Sequence, residues 1–85
     1  MNRKKLLVRL ARGAVANVAF ADVLSLAEGI GFEPRRISGS HHILAHPDIP
    51  EFINLQDVRG QAKPYQIRQL MRLIERYDLR LESER

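Results

Sequence analysis

The spacing of apolar residues changes twice along this chain, from helical at the start to strand-like in the middle and helical again at the end. Segments 4–12 and 20–29 place apolar residues three and four positions apart, as one face of an amphipathic helix requires. Gly31 followed by Phe32 predicts a left-handed stop for the second segment, with the aromatic ring folding back onto the last turn. Two helices therefore precede any strand.

The C-terminal helix has the clearest pattern. Because proline is tolerated in a first turn, we expect this helix to run from Pro64 or Tyr65 to about Tyr77. Its apolar stripe consists of Ile67, Leu70, Met71, Ile74 and Tyr77. The opposite side carries an arginine at every fourth position: Arg68, Arg72, Arg76 and Arg80. Such a row is either a solvated face or a surface for RNA phosphates or an acidic protein, and composition does not choose between them.

The middle of the chain predicts strands. Pro34 favours extended backbone around it, and Gly39 with Ser40 supplies the turn of a hairpin. Gly60 and Pro64 bound a later loop. The predicted strands are residues 35–38, 41–46 and 52–56.

Together these elements predict the order helix, helix, hairpin, third strand, helix. The simplest packing of that order is an α+β domain with a three-stranded antiparallel sheet and helices on one face. A chain of 85 residues has room for one core. It contains no cysteine, which excludes disulfides and thiolate metal sites and fits a cytoplasmic protein. No apolar run is long enough for a membrane span, and Arg9 and Arg12 interrupt the region where an export signal would lie.

The charge of the chain favours a polyanionic partner. Fourteen Lys and Arg against ten Asp and Glu give a net charge of +4 and an isoelectric point near 10.1. Five of the basic residues precede Asp22, the first acid: Arg3, Lys4, Lys5, Arg9 and Arg12. A small basic domain suits nucleic acid, although a solvated basic surface explains the composition equally well.

All three histidines fall within six residues, at His41, His42 and His46. Histidine changes its charge near neutral pH, so such a cluster on a basic domain indicates proton transfer. A ribonuclease needs a base to deprotonate the RNA 2′-OH and an acid to protonate the leaving 5′-oxygen, and it needs no metal. Cations that offset the charge developing on the phosphate are supplied by Arg35, Arg36 and Lys63, which we predict to bind substrate.

Two other interpretations of the cluster compete with catalysis. On a helix, His42 and His46 would share a face and chelate zinc, but on a strand they lie about 13 Å apart, too far for one ion. The flanking Gly39 and Pro47 favour the strand, so we expect no metal and no cofactor. The second interpretation is structural, and His46 beside Pro47 fits it best.

Several of these residues resemble the HicA family of toxin ribonucleases. The resemblance runs from Gly31-Phe32 through Ser38-Gly39-Ser40-His41-His42-Ile43 to His46-Pro47, and it continues in Lys63-Pro64. It covers roughly residues 20–80. Gly-Ser-His-His followed by His-Pro is a fairly specific combination, and the order of elements predicted above agrees with it.

The resemblance implies a fold like that of a double-stranded-RNA-binding domain and metal-independent mRNA cleavage within a toxin–antitoxin system. It also implies a HicB-type antitoxin that covers the active site in a hetero-oligomer. The family's catalytic histidine corresponds to His41. Gly39 corresponds to the small residue beside it, and Ser40 completes the turn where substrate approaches. The alternative is a non-catalytic RNA-binding or protein-interaction module with the same fold.

The resemblance also sets the expected boundaries. Residues 1–18 are predicted to be an N-terminal extension with a short basic helix, 19–81 the HicA-like domain and 82–85 a polar tail. The third strand departs from the family, which often carries Pro-x-His where this chain has Asn54-Leu55-Gln56-Asp57. A second proton-transfer residue is therefore not assigned.

Overall fold

The computed structural model describes residues 2–82, so three of the four residues of the predicted polar tail, 83–85, lie outside it. Its helices and strands are α1 (Arg3–Ala11), α2 (Phe20–Ile30), β1 (Glu33–Ser38), β2 (His41–Ala45), β3 (Phe52–Val58), β4 (Gln61–Ala62) and α3 (Pro64–Arg76). The α+β class, the antiparallel sheet and the extra N-terminal helix are confirmed.

Within the described residues the sheet has four strands, so the prediction of three was wrong. Strand order is β1-β2-β3-β4, and each neighbouring pair is antiparallel. The added strand, β4, follows β3 through a two-residue turn in which Arg59 and Gly60 both have positive φ, at 54° and 85°. Arginine seldom adopts that conformation, and a two-residue strand is too short to show alternation. The region between Gly60 and Pro64 therefore looked like a loop.

The predicted end of α2 is confirmed. Gly31 has a φ of 114°, and the backbone N–H of Phe32 donates to the carbonyl of Ala27 at 3.0 Å. This geometry turns the chain sharply from α2 into β1 and buries the Phe32 ring. The start of β1 is thereby fixed against the helix layer.

Helices α2 and α3 cover one face of the sheet. The predicted stripe of α3 lies on β3, and its residues Ile67, Leu70 and Ile74 are buried. Opposite them, Ile53 and Leu55 of β3 point inward, because side chains alternate along a strand. Residues between them on β3 point to the other face of the sheet.

Helix α1 forms a third layer that packs mainly on α2 and α3. Leu6 and Leu10 are buried there. Two of its basic residues serve the fold directly: the Arg3 guanidinium donates to Ser25 Oγ, and that of Arg9 donates to the carbonyls of the following loop. The apolar side of the predicted basic helix therefore belongs to the domain core, and two of its cations are engaged in hydrogen bonds within the protein.

Candidate active site

The candidate site includes the turn between β1 and β2, which directly precedes His41. Ser38 pairs with His41, so only Gly39 and Ser40 form the loop. Gly39 has a φ of 58°, and a Cβ built there would meet no atom within 4 Å. Backbone conformation, and not crowding, explains the glycine. The backbone N–H of Asp57 in β3 donates to the Ser40 carbonyl at 3.0 Å and anchors the turn to the sheet.

The three histidines lie in three different environments. His41, the first residue of β2, is exposed. His42 points to the helix side, where its ring lies 4.8 Å from that of Phe20 between centroids, and it is half-buried. His46 follows the end of β2 and is buried. The three histidines are therefore close in sequence, but their side chains lie in different surroundings.

His46 has the structural role that its position beside Pro47 predicted. Its Nε2 donates to the carbonyl of Ile30 at 3.0 Å, while Nδ1 accepts the backbone N–H of Asp48 at 3.1 Å. These two bonds together require a neutral imidazole with its proton on Nε2. The ring is nearly perpendicular to that of Phe32, at 74°, with 5.2 Å between the ring centroids. His46 thus links the end of α2 to the loop after β2.

Gln56 of β3 is the cross-strand partner of His41. Because the adjacent residues Ser40 and Asp57 exchange a backbone hydrogen bond, His41 and Gln56 form a non-hydrogen-bonded pair. Side chains in such pairs are the closer ones, with Cβ atoms about 4.5–5.5 Å apart. Sequence reasoning missed this neighbour, since it depends on strand register.

A buried glutamine of α3 holds Gln56 in place. Gln66 accepts the backbone N–H of Gln56 on its Oε1 at 2.7 Å and donates from Nε2 to the Tyr65 hydroxyl at 3.3 Å. The side-chain amide of Gln56 donates in turn to Ser40 Oγ at 3.4 Å. The sequence does contain a signal for Gln66: it lies four residues before Leu70, on the buried stripe, where a polar residue needs a partner.

The predicted phosphate-binding cations Arg35, Arg36 and Lys63 differ in their position relative to His41. Arg36 pairs with Ile43, two positions along β1 from the partner of His41, so it is a diagonal neighbour about 7–8 Å away on the same face. Arg35 lies at the bulge between Pro34 and Arg36. Lys63 precedes α3 with its ammonium 5.8 Å from the centre of the Tyr65 ring. Within residues 2–82, none of these cations has an ion-pair partner or a hydrogen bond to His41.

The geometry agrees with what the comparison with protein families finds. The family profile described as the HicA toxin of bacterial toxin-antitoxin matches residues 20–75, which is about two thirds of the chain. The chain belongs to the HicA toxin family. No curated protein and no solved structure gives a significant match.

Membership makes the chain a toxin of the toxin–antitoxin class, whose members generally cleave mRNA and act with a HicB-type antitoxin. The HicA match spans α2 to α3 and leaves α1 outside it. The predicted division between residues 1–18 and the rest stays a prediction, because α1 packs against the matched helices.

The candidate active site of this HicA chain is an open surface. A cavity of about 480 Å³ lies instead near His46, lined by residues of the α2 end and of the segment after α3, and Gly39 to His42 are not part of its lining. Residues 2–82 hold no group of three or more His, Asp or Glu side chains arranged for one metal ion. Within the same residues no helix has the length and apolarity to span a membrane.

Proposed function

We propose that this HicA chain cleaves mRNA without a metal and that His41 transfers a proton in the reaction. The observation that carries the proposal is the contrast among the three histidines. His42 packs against Phe20, and both ring nitrogens of His46 are engaged within the protein. Only His41 presents an exposed imidazole on the open face of the sheet.

The chemistry follows from where His41 stands. The RNA 2′-oxygen attacks the adjacent phosphorus as its proton leaves, and the 5′-oxygen departs as it gains a proton. His41 either accepts the proton from the 2′-oxygen or donates a proton to the 5′-oxygen. Arg36, on the same face, offsets the negative charge that develops on the phosphate oxygens. Arg35 at the bulge of β1 and Lys63 before α3 add to the positive charge of the domain.

The turn residues give the substrate access. Gly39 leaves the end of the hairpin uncrowded, since a Cβ built there would meet no described atom within 4 Å outside its two chain neighbours. Ser40 contributes a hydroxyl that, among residues 2–82, is engaged by only one long hydrogen bond, from Gln56. With His41 itself exposed at the start of β2, an RNA backbone has access to it from solvent.

The partners follow from the same surface. We propose that mRNA binds across the face carrying His41 and that a HicB-type antitoxin inhibits by covering it in a hetero-oligomer. A net charge of +4 supports an electrostatic contribution to RNA binding, which weakens as salt rises.

Product analysis tests this proposal. Purified protein is incubated with a 5′-labelled RNA in buffer with and without excess EDTA, beside the same RNA carrying a single 2′-deoxynucleotide at the cleaved position. We expect cleavage that EDTA does not change, a 2′,3′-cyclic phosphate on the 5′ product, and no cleavage at the deoxy position. Salt-sensitive binding with no cleavage of either RNA would show a non-catalytic module instead.

A further inference from the structure

We propose that Gln56 is a substrate-contacting residue, whose side-chain amide donates a hydrogen bond to the phosphate at which His41 acts. The inference rests on the proposed function. Its first support is register: Gln56 is the residue directly opposite His41 in a non-hydrogen-bonded pair, so the two side chains project side by side from the same face. A phosphate within reach of one is within reach of the other.

The second support is the state of the Gln56 amide. Its one hydrogen bond within residues 2–82 is the donation to Ser40 Oγ at 3.4 Å, which is long for such a bond. A phosphate oxygen is a stronger acceptor than a serine hydroxyl, because a charged acceptor roughly doubles the strength of the bond. Replacing Ser40 by substrate therefore costs the protein little, and it frees the Ser40 hydroxyl to bind as well.

The third support is the way the backbone at this position is held. Asp57 directs its N–H to β2, so the N–H of Gln56 points to the other side, toward β4. However, β4 has ended at Ala62 by that point, and the chain has turned into α3. Gln66 replaces the missing strand partner. Its Oε1 accepts the backbone N–H of Gln56 at 2.7 Å, and the residue is only 2% exposed. Gln66 is thus a positioning residue, and it acts through Gln56.

The amide also fits the chemistry. The amide is neutral, and it donates a hydrogen bond without transferring a proton. It therefore stabilises the phosphate, whereas a carboxylate at that position would repel it. Arg36 supplies positive charge from the diagonal position, and Gln56 supplies a directed donor from the position directly across.

The first test uses Gln56→Leu, which keeps the size of the side chain and removes its donor. Asn54→Leu is the matched control, since Asn54 is exposed on the same face of β3, two residues away and opposite Ile43. Single-turnover cleavage is measured together with the unfolding midpoint. We expect Gln56→Leu to slow cleavage about 10²-fold or more with a near wild-type midpoint, as loss of one transition-state donor does. The control should cleave at the wild-type rate.

The second test is a double-mutant cycle with Gln66→Leu. If Gln66 acts through Gln56, its loss slows the folded enzyme, and the double variant is no slower than Gln56→Leu alone. If the role of Gln66 is purely structural, the rate losses of the two single variants multiply in the double variant, or the cleavage rate falls in proportion to the fraction of protein that is unfolded. Wild-type cleavage by Gln56→Leu overturns this inference alone, whereas absence of cleavage by the wild-type chain overturns the proposed function with it.

Discussion

The Tyr77 hydroxyl lies 2.7 Å from Glu51 Oε1 and 2.9 Å from Oε2, which joins the end of α3 to the residue before β3. The hydrogen bond to Glu51, followed by burial and by the charge of Glu51, raises the pKa of Tyr77 above its usual 10.0, although nearby Arg76 opposes the shift. A raised pKa in the folded state means that folding favours the protonated phenol. The stabilisation is present below the unfolded pKa and is lost as pH rises through the folded one.

We therefore predict that the wild-type chain loses more stability than Tyr77→Phe between about pH 9 and pH 11. Urea unfolding at the two pH values measures the difference. In a spectrophotometric titration, a tyrosinate step above pH 10 should be missing from Tyr77→Phe. Equal losses of stability in the two proteins would show that the bond to Glu51 contributes nothing in solution.

The core prediction concerns Leu70, which is fully buried between α3 and the sheet. Leu70→Ala removes packed methyl groups and leaves a cavity, so the free energy of unfolding should fall by about 2–5 kcal/mol. Arg68→Ala, two residues earlier in the helix and exposed, is the control and should change stability by less than about 0.5 kcal/mol. A Leu70→Ala chain as stable as the wild type would contradict the packing of α3.

The predicted arginine row divides into two pairs. Arg76 binds Glu51 at 3.3 Å, and Arg80 lies beyond the end of α3 and pairs with Asp78. The expectation of four arginines along one helix was therefore wrong at Arg80. Arg68 and Arg72 are exposed and have no ion-pair partner within residues 2–82.

We predict that the antitoxin, besides covering the open sheet face with His41, also reaches the exposed side of α3 at Arg68 and Arg72, because an acidic partner binds free cations more readily than paired ones. Reversing either charge to glutamate should weaken the complex about tenfold, or about 1.4 kcal/mol, and more at low salt. Lys4→Glu on α1 changes the net charge equally and serves as the control in calorimetry. If all three variants bind the antitoxin alike, only the total charge matters and the two arginines are an ordinary solvated face.

The sequence predicted elements whose signals are local. The stripe from Ile67 to Ile74 and the Gly31 stop both lie within a few residues, and both were confirmed. Strand β4 was missed because its evidence is the pairing with β3 and the unusual φ of Arg59. Gln56 was noticed only as a departure from a family pattern. Its position opposite His41 follows from register, which the sequence of one strand does not specify.

The proton-transfer role of His41 is tested by comparing the cleavage rates of His41→Ala and His42→Phe. Phenylalanine at position 42 keeps a ring against Phe20, so this control retains the packing while it removes an imidazole. We expect His41→Ala to lose about 10²–10⁴-fold in single-turnover rate with unchanged thermal unfolding, and His42→Phe to cleave close to the wild-type rate. Cleavage by folded His41→Ala at the wild-type rate would contradict the assignment.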